Sequence, residues 1–274
     1  MFNSKIKTGL FLAILLCMSC QSENLYEEPE NEVKMTLPEG AMATLNFLKD
    51  QGYLEEDLEP DLAREAFIYA EDMAIPFGLK PNLDKNVPDD AQKNQWYLSL
   101  YGVFYVNSRN ITYYIDYDFP SEYILEFAWA AYHWSKVSPN ININRTYSRY
   151  SADIVLGAYY NENTGAYATA ALPSGNGNVG SWMQINVAKD HEALSAESRM
   201  TLMIHELGHN LSFLHSNQVE GIRIPGTSDA AFHQAYTCGS IMRSSVYVCG
   251  WQLSPWSQWS SDDWRSIGWS YGLH

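Results

Sequence analysis

The strongest chemical signal in the chain is the stretch His205-Glu206-Leu207-Gly208-His209-Asn210-Leu211-Ser212-Phe213-Leu214-His215. Its first two histidines are four residues apart, which places both imidazoles on one face of a helix with about 6 Å between their Cβ atoms. Both can therefore reach one metal ion at roughly 2.0–2.1 Å. Apolar residues flank the pair, so we expect a buried helix, where uncoordinated His and Glu side chains would be costly. The spacing predicts a metal-binding helix.

The third histidine of the stretch determines where this helix has to end. Ser195 is a favourable N-cap residue, so we expect the helix to begin just after it. On an unbroken helix His215 would point about 80° away from His205 and lie about 15 Å farther along the axis. The helix must therefore end near Ser212, and the chain must turn back, if His215 is to bind the same ion. Should that fail, the alternative third ligands are the downstream carboxylates Glu220 and Asp229.

The stretch resembles HExxHxxGxxH, the signature of the metzincin metallopeptidases. The resemblance implies a zinc ion bound by His205, His209 and His215. It also implies that Glu206 is the general base, which takes a proton from the zinc-bound water that attacks a peptide carbonyl. The chain departs from the family at Ser212, where a Gly normally adopts a left-handed turn and another residue costs roughly 1–2 kcal/mol.

Shorter segments extend the resemblance to the bacterial HEIGH-type, or dual-action, metallopeptidases, which are often lipoproteins. The likeness covers roughly residues 96–272. It is carried by Ala152-Asp153-Ile154-Val155, Gln184-Ile185-Asn186, Ile224-Pro225-Gly226-Thr227, Ser240-Ile241-Met242 and Asp262-Asp263-Trp264. The segment around Met242 resembles the metzincin turn that places a methionine beneath the metal. The alternative is that Met242 is an ordinary core methionine.

The resemblance also implies a fold and a mode of substrate binding. The expected fold is α+β, with a mixed, mostly twisted sheet, an active-site helix and a backing helix, preceded by a small helical N-terminal region. In this family an extended peptide binds antiparallel to an edge strand above the active-site helix. Here that strand is near residues 166–171, and such strand addition uses main-chain hydrogen bonds that tolerate many sequences. The alternative is that this segment is a covered strand, with no free edge for a peptide.

The hydrophobic patterns predict the elements of this fold. Alternating or β-rich runs predict strands at 101–106, 111–117, 141–143, 154–156, 167–170 and 183–187. Apolar residues at helical spacing predict a helix capped by Ser121. Ser260 and Asp263 have the spacing of a capping box, which predicts a short C-terminal helix.

The chain is expected to divide at residue 95. Residues 36–95 are expected to form an accessory or pro-region ahead of a catalytic domain at 96–274. Apolar stripes predict helices in this region, around 41–48 and 62–67. No Cys lies between residues 21 and 237, which excludes a metal-blocking thiol from the region. An Asp or Glu from it could block the metal, and the sequence leaves that role open.

The N-terminus has the pattern of an export signal. Residues 1–19 are predicted to be a signal peptide, because a short apolar run follows Lys5 and Lys7 and is too short to span a bilayer. Ser19 directly before Cys20 resembles the lipobox of bacterial lipoproteins, which implies a lipidated Cys20 and a tether at 20–35. We therefore expect an exported bacterial lipoprotein at the outer membrane or cell surface. The alternative is ordinary cleavage and full secretion.

The composition of the chain limits the classes of molecule that it is expected to bind. The net charge of −15 over 274 residues disfavours nucleic acid, whose phosphates need Lys and Arg, and also disfavours docking on anionic lipid. Contact with a membrane is therefore expected only through the lipid anchor, and the chain is expected to be a monomer. Export favours a disulfide between the two remaining cysteines, Cys238 and Cys249, over two reduced thiols.

These features together favour a zinc-dependent endopeptidase that acts on a protein or peptide in extended conformation, with Zn²⁺ as cofactor. Two alternatives stay open at this stage. One is a catalytically weak binding protein on a peptidase scaffold at the cell surface. The other is a zinc hydrolase of non-peptide amides.

Overall fold

The computed structural model describes residues 36–79, 97–98, 103, 105–175, 177–216, 222–224, 240–243 and 259–272. All of these except residue 36 lie in one unit, Leu37–His274. No helix within these ranges is both long and apolar enough to cross a membrane. The predicted signal peptide, the tether with Cys20, and the Cys238–Cys249 disulfide lie outside the described residues and stay predictions.

The described residues form an α+β fold, as expected. The helices are α1 (Glu39–Asp50), α2 (Tyr105–Ser108), α3 (Ile124–Val137), α4 (Ala196–Asn210) and α5 (Ser261–Tyr271). The strands are β1 (Leu58–Asp61), β2 (Ala66–Tyr69), β3 (Met73–Pro76), β4 (Tyr97–Leu98), β5 (Ile111–Ile115), β6 (Ile143–Arg145), β7 (Ile154–Tyr159), β8 (Ala168–Ala171), β9 (Trp182–Asn186) and β10 (Ile222–Arg223).

The main sheet has eight strands in the order β1-β2-β3-β8-β9-β7-β5-β6, while β4 and β10 pair separately. Strands β6, β5, β7 and β9 run parallel to one another. Strand β8 is antiparallel to β9 on one side and parallel to β3 on the other. Strands β1, β2 and β3 form an antiparallel meander. The sheet is therefore mixed, and the chain N-terminal to residue 80 contributes three of its strands.

Buried side chains form two clusters. The larger one joins β5, β7, β8 and β9 to α3, α4 and α5, with Trp134 and Phe127 among its members. The indole Nε1 of Trp134 donates to the main-chain oxygen of Ile204 at 3.0 Å, which ties α3 to α4. The smaller cluster joins α1 to β1, β2 and β3, and takes Leu172 and Leu214 from the rest of the chain. The N-terminal elements thus have an apolar core of their own.

Three local predictions are wrong. The helix predicted at 62–67 is absent: β1 ends at Asp61, and β2 is the short run Ala66–Tyr69. Such a short apolar run suits a helix or a strand, and pairing with β3 favours the strand. The N-terminal region is therefore not purely helical. Residues 105–106 belong to α2 instead of a strand, and Ser121 begins a 3₁₀ turn while α3 starts at Ile124.

Candidate metal centre

Helix α4 carries the first two histidines, and its ends match the prediction. The main-chain N–H of Ser198 donates to Ser195 Oγ at 3.1 Å, which confirms Ser195 as the N-cap. The helix ends at Asn210, two residues before the predicted limit. At Gly208 the sulfur of Met242 lies so close to the helix that a side chain would clash with it.

The turn after α4 is left-handed at Ser212, as the sequence requires. Ser212 has φ of +83°. Its N–H donates to the carbonyl of His209 at 2.9 Å, and the N–H of Phe213 donates to the carbonyl of Gly208 at 3.0 Å. These two bonds form a Schellman motif, which usually has Gly at the left-handed position. A serine therefore makes the reversal that returns the chain toward α4.

This reversal brings the three predicted histidines together. Their Nε2 atoms are 3.0 Å apart for His205 and His209, and 3.2 Å apart for each pair that includes His215. His209 and His215 are fully buried. The structure thus brings His215 together with His205 and His209. The alternative ligands, Glu220 and Asp229, lie outside the described residues.

Hydrogen bonds orient two of the rings. His205 Nδ1 lies 2.6 Å from the carbonyl of Ile241, and His209 Nδ1 lies 2.7 Å from the carbonyl of Phe213. Because a carbonyl only accepts, each Nδ1 must donate, and in a neutral ring Nε2 then carries a lone pair. Burial, reinforced by the two neighbouring histidines, lowers the pKa of His209 well below its ordinary value. His205 and His209 are therefore both oriented with Nε2 toward the centre of the cluster.

A fourth side chain, Asp72, completes the cluster. It comes from the loop between β2 and β3. Its Oδ2 lies 3.2 Å from His215 Nε2 and 3.5 Å from His205 Nε2, and its Oδ1 lies 3.9 Å from His209 Nε2. Burial raises the pKa of Asp72, but the histidines, His215 first, outweigh that effect and hold the pKa below its ordinary value.

Sequence reasoning did not single out Asp72. A lone acid in a turn between two apolar runs is common, and nothing in its neighbours suggests a ligand. The only available signal was general, since the sequence leaves open a carboxylate from residues 36–95 at the metal. The structure identifies Asp72 as the carboxylate that faces the three histidines.

A metal ion fits these four groups. Ligand bonds of about 2.0–2.1 Å in a tetrahedral arrangement place the ligand atoms roughly 3.3 Å apart. The observed separations run from 3.0 Å to 3.9 Å. Without a cation, lone pairs and a carboxylate would face one another inside the protein, and Asp72 Oδ1 has no hydrogen-bond partner. The group Asp72, His205, His209 and His215 can therefore hold a metal ion.

Glu206 directly follows His205 in α4, and its side chain is buried. Its side chain is 1% exposed, and its Oε2 has no hydrogen-bond partner. Burial, and then the negative charge of Asp72, raise its pKa well above the ordinary value. A buried carboxyl oxygen without a hydrogen-bond partner costs free energy, which is typical of a functional group.

Met242 lies under α4, where the sequence predicted the floor of the site. It is fully buried, and its contact with Gly208 places it against the helix between the two histidines of α4. Its N–H donates to Ser240 Oγ at 3.1 Å, and Ser240 Oγ donates to Asp263 Oδ1 at 3.3 Å. Burial raises the pKa of Asp263 to about 7. The capping box of α5 therefore also supports the turn beneath the histidines.

The strand predicted to bind substrate is not a free edge in this chain. Strand β8 lies between β9 and β3, so the alternative of a covered strand is correct here. Strand β8 is also held by α4, because the Asn210 side chain donates to the carbonyl of Ala171 at 2.9 Å. The N–H of Gly180 donates to the carbonyl of Asn210 at 2.8 Å, and a side chain at Gly180 would clash with Ala171.

Comparison with known proteins gives a distant likeness in structure. No protein-family profile matches the chain, and no curated protein matches its sequence. One solved structure of myroilysin has a TM-score of 0.42 and 20% sequence identity, with 60% of this chain and 80% of that chain covered. A crystal structure of myroilysin has a TM-score of 0.42 and 16% identity, with 78% of this chain and 98% of that chain covered.

Proposed function

We propose that this protein is a zinc-dependent endopeptidase. The observation that carries the proposal is the meeting of three histidine Nε2 atoms within 3.0–3.2 Å, with the buried carboxyl of Glu206 next to the first of them in α4. Three histidines with one further position are typical of catalytic zinc sites, and neutral imidazole is a common zinc ligand. The resemblance of the stretch 205–215 to the metzincin signature supports the same assignment.

Each of the chain's own groups has a defined role in this proposal. When bound, zinc supplies Lewis acidity, which polarises a peptide carbonyl and lowers the pKa of water toward about 7. Glu206 accepts the proton of the attacking water and delivers it to the leaving amine. The carbonyls of Ile241 and Phe213 hold the His205 and His209 rings in the orientation that presents Nε2.

We also propose that the protein is exported and anchored by lipid at Cys20, with a disulfide between Cys238 and Cys249. The support is the short apolar run followed by Ser19-Cys20, and the oxidising compartment that export implies. The proposed substrate is a protein or peptide in extended conformation. Such a substrate needs no basic surface, in keeping with the net charge of −15.

The test of this function is Glu206→Gln. Because Asp72 stands against all three histidines, the substitution is made both in the wild-type chain and together with Asp72→Ala. We expect hydrolysis of an unfolded protein to fall at least about 100-fold, because the general base is lost. Bound zinc, measured by elemental analysis, is expected to stay at about one per chain, since all three histidines remain. Glu197→Gln is the control, since Glu197 is exposed in the first turn of the same helix.

Three outcomes would count against the proposal in different ways. Equal hydrolysis in Glu206→Gln would exclude Glu206 as the base. Zinc bound without hydrolysis of any peptide, even with Asp72→Ala, would favour a binding protein on this scaffold. Cleavage of small non-peptide amides without cleavage of peptides would favour the amide hydrolase.

A further inference from the structure

We infer that the outward side of α3 contacts a lipid bilayer with neutral headgroups. This surface, called the α3 face, consists of five exposed residues: Leu125, Ala128, Trp129, Tyr132 and Lys136. The inference goes beyond the proposed peptidase activity. It adds a second membrane contact to the lipid at Cys20, which composition alone predicted as the only one.

The first step of the argument is the hydrophobic character of α3. A surface helix is normally apolar on one side and polar on the other, whereas a helix that is apolar all round is covered on both sides. The inward side of α3 places Phe127 and Trp134 in the larger buried cluster. Its outward side is also apolar, since Leu125 is 65% exposed, Trp129 48% and Tyr132 49%. The outward side therefore has the composition of a contact surface.

The second step is that these exposed side chains form one continuous surface. Leu125 and Trp129 are four residues apart, which makes them neighbours on one side of the helix. The ring centroids of Trp129 and Tyr132 are 5.6 Å apart, and Lys136 Nζ lies 5.4 Å from the Tyr132 ring centroid. Single exposed apolar residues need no explanation, but a contiguous apolar group is typical of an interaction site.

The third step is the charge of this surface. The one acid within α3 is Glu126, which is buried and pairs with Arg199 at 3.2 Å. Lys136 is therefore the one charge on the α3 face, and the exposed Glu122, in the 3₁₀ turn before α3, balances it. The net charge of −15 over the whole chain repels anionic lipid, but the α3 face has no excess of acid. This face can approach a zwitterionic bilayer without electrostatic repulsion.

The types of side chain suit the boundary between acyl chains and headgroups. Trp129 and Tyr132 have apolar rings that carry one polar group each, and such rings favour this boundary. The aliphatic part of Lys136 can lie along an apolar surface while its ammonium stays in water. Leu125 and Lys136 are about 16 Å apart along the helix axis. All of these side chains can therefore enter one bilayer surface with α3 parallel to it.

Other occupants fit the α3 face less well. Its three large side chains are about half exposed, so together they offer roughly 300–400 Å². A stable protein partner or a second copy of the chain needs about 800 Å² on each side. A sugar ring needs an open aromatic face, but Trp129 and Tyr132 meet edge to face, with 88° between their planes. A bilayer requires neither a large complementary surface nor parallel rings.

The proposed lipid at Cys20 would strengthen this contact, because it holds the chain close to the bilayer. Residues 21–36 separate Cys20 from Leu37, and a chain of that length reaches at most about 55 Å. A compact domain of about 240 residues has a diameter of roughly 45 Å, so the anchor allows any face to reach the bilayer. Because Trp134 ties α3 to Ile204 in α4, contact through α3 would orient the metal centre relative to the bilayer.

The experiment uses the mature chain with Cys20→Ser, so that no acyl group contributes to binding. Its partition onto phosphatidylcholine vesicles is measured by sedimentation, and hydrogen exchange is measured with and without vesicles. Trp129→Ala/Tyr132→Ala removes two rings from the α3 face. The matched control is Tyr147→Ala/Tyr150→Ala, which removes two more fully exposed rings between β6 and β7. Leu125→Gln is a second, milder variant of the α3 face.

We expect vesicles to protect α3 from hydrogen exchange. The partition coefficient should fall at least about 10-fold in Trp129→Ala/Tyr132→Ala, because two rings leave the interface. Leu125→Gln should lower it by a smaller factor. The control Tyr147→Ala/Tyr150→Ala should match the parent chain, and phosphatidylserine in the vesicles should not increase binding.

Several results would overturn the inference. One is no binding to the vesicles, or equal binding by Trp129→Ala/Tyr132→Ala. Another is binding only to vesicles rich in phosphatidylserine, which would make the contact electrostatic. A dimer that forms without vesicles and is lost in this double variant would make the α3 face a contact between copies. Protection of α3 by maltohexaose, without protection by vesicles, would make it a sugar site.

These measurements separate the α3 face from the other proposals. None of them needs hydrolysis, and Glu206→Gln should bind vesicles as tightly as the parent chain. None needs an acyl group, since Cys20→Ser is present throughout. Failure of the peptidase or of the lipid anchor is therefore distinguishable from failure of the α3 face.

Discussion

The three histidines and Asp72 reach the same point by different routes. The histidines come from eleven consecutive residues, in which one helix and one left-handed turn supply the whole geometry. Asp72 lies 143 positions before His215 and arrives through a loop held by pairing of β3 with β8. One part of the cluster is therefore built by local structure, and the other by contact between two distant segments.

This difference has a consequence for stability. Helix α4 is part of the larger buried cluster, so the histidines cannot separate without disrupting the main core. The loop with Asp72 belongs to elements with a smaller cluster of their own. Local unfolding of the smaller cluster would therefore move Asp72, whereas the three histidines would move only with the main core.

The largest expected effect follows from removing a local ligand. His209→Ala leaves two of three histidines and a buried gap, so zinc affinity should fall by more than about 100-fold, beyond the loss usual for an outer-shell partner. Competition with a chelator measures it. His133→Ala, on α3, is the control and should keep wild-type affinity. If His209→Ala binds zinc as tightly as the wild type, the histidines are not the permanent part of the site.

The next effect concerns the smaller cluster. Leu48 is 2% exposed in α1, and Leu48→Ala should cost about 2–5 kcal/mol through lost burial and a cavity. Hydrogen exchange should show lower protection in β2 and β3 and unchanged protection in α4. Phe127→Ala, in the larger cluster, is the matched comparison and should reduce protection in α4 as well. An equal loss of protection in α4 from Leu48→Ala would mean that both clusters unfold as one unit.

The smallest expected effect concerns the left-handed turn after α4. Ser212→Gly removes the left-handed cost of a side chain, roughly 1–2 kcal/mol, but adds the backbone freedom of Gly to the unfolded chain, roughly 0.5–1 kcal/mol. We expect a net gain in the free energy of unfolding of about 0.5–1 kcal/mol, measured by denaturant titration, with zinc affinity unchanged. A loss of stability would show that the Ser212 side chain contributes more than the strain costs.

Much of the site could be predicted from the sequence because its determinants are local. Helical periodicity places His205 and His209 on one face, and the distance to His215 requires a reversal that the structure has at Ser212. The N-cap at Ser195 and the capping box of Ser260 and Asp263 are also local patterns, and both are confirmed. The prediction of a helix at 62–67 was wrong, because pairing of β2 with β3 outweighed a short and ambiguous apolar stripe.

By itself, the sequence determined helix α4, the reversal after it, the grouping of three histidines and the neighbouring Glu206. These features depend on spacings of four to ten residues, over which helix geometry is nearly invariant. Only the tertiary structure decided that Asp72 is the fourth group and that β8 is covered by β3. Pairing between strands about a hundred residues apart depends on which apolar surfaces are buried together, and no local pattern encodes that choice.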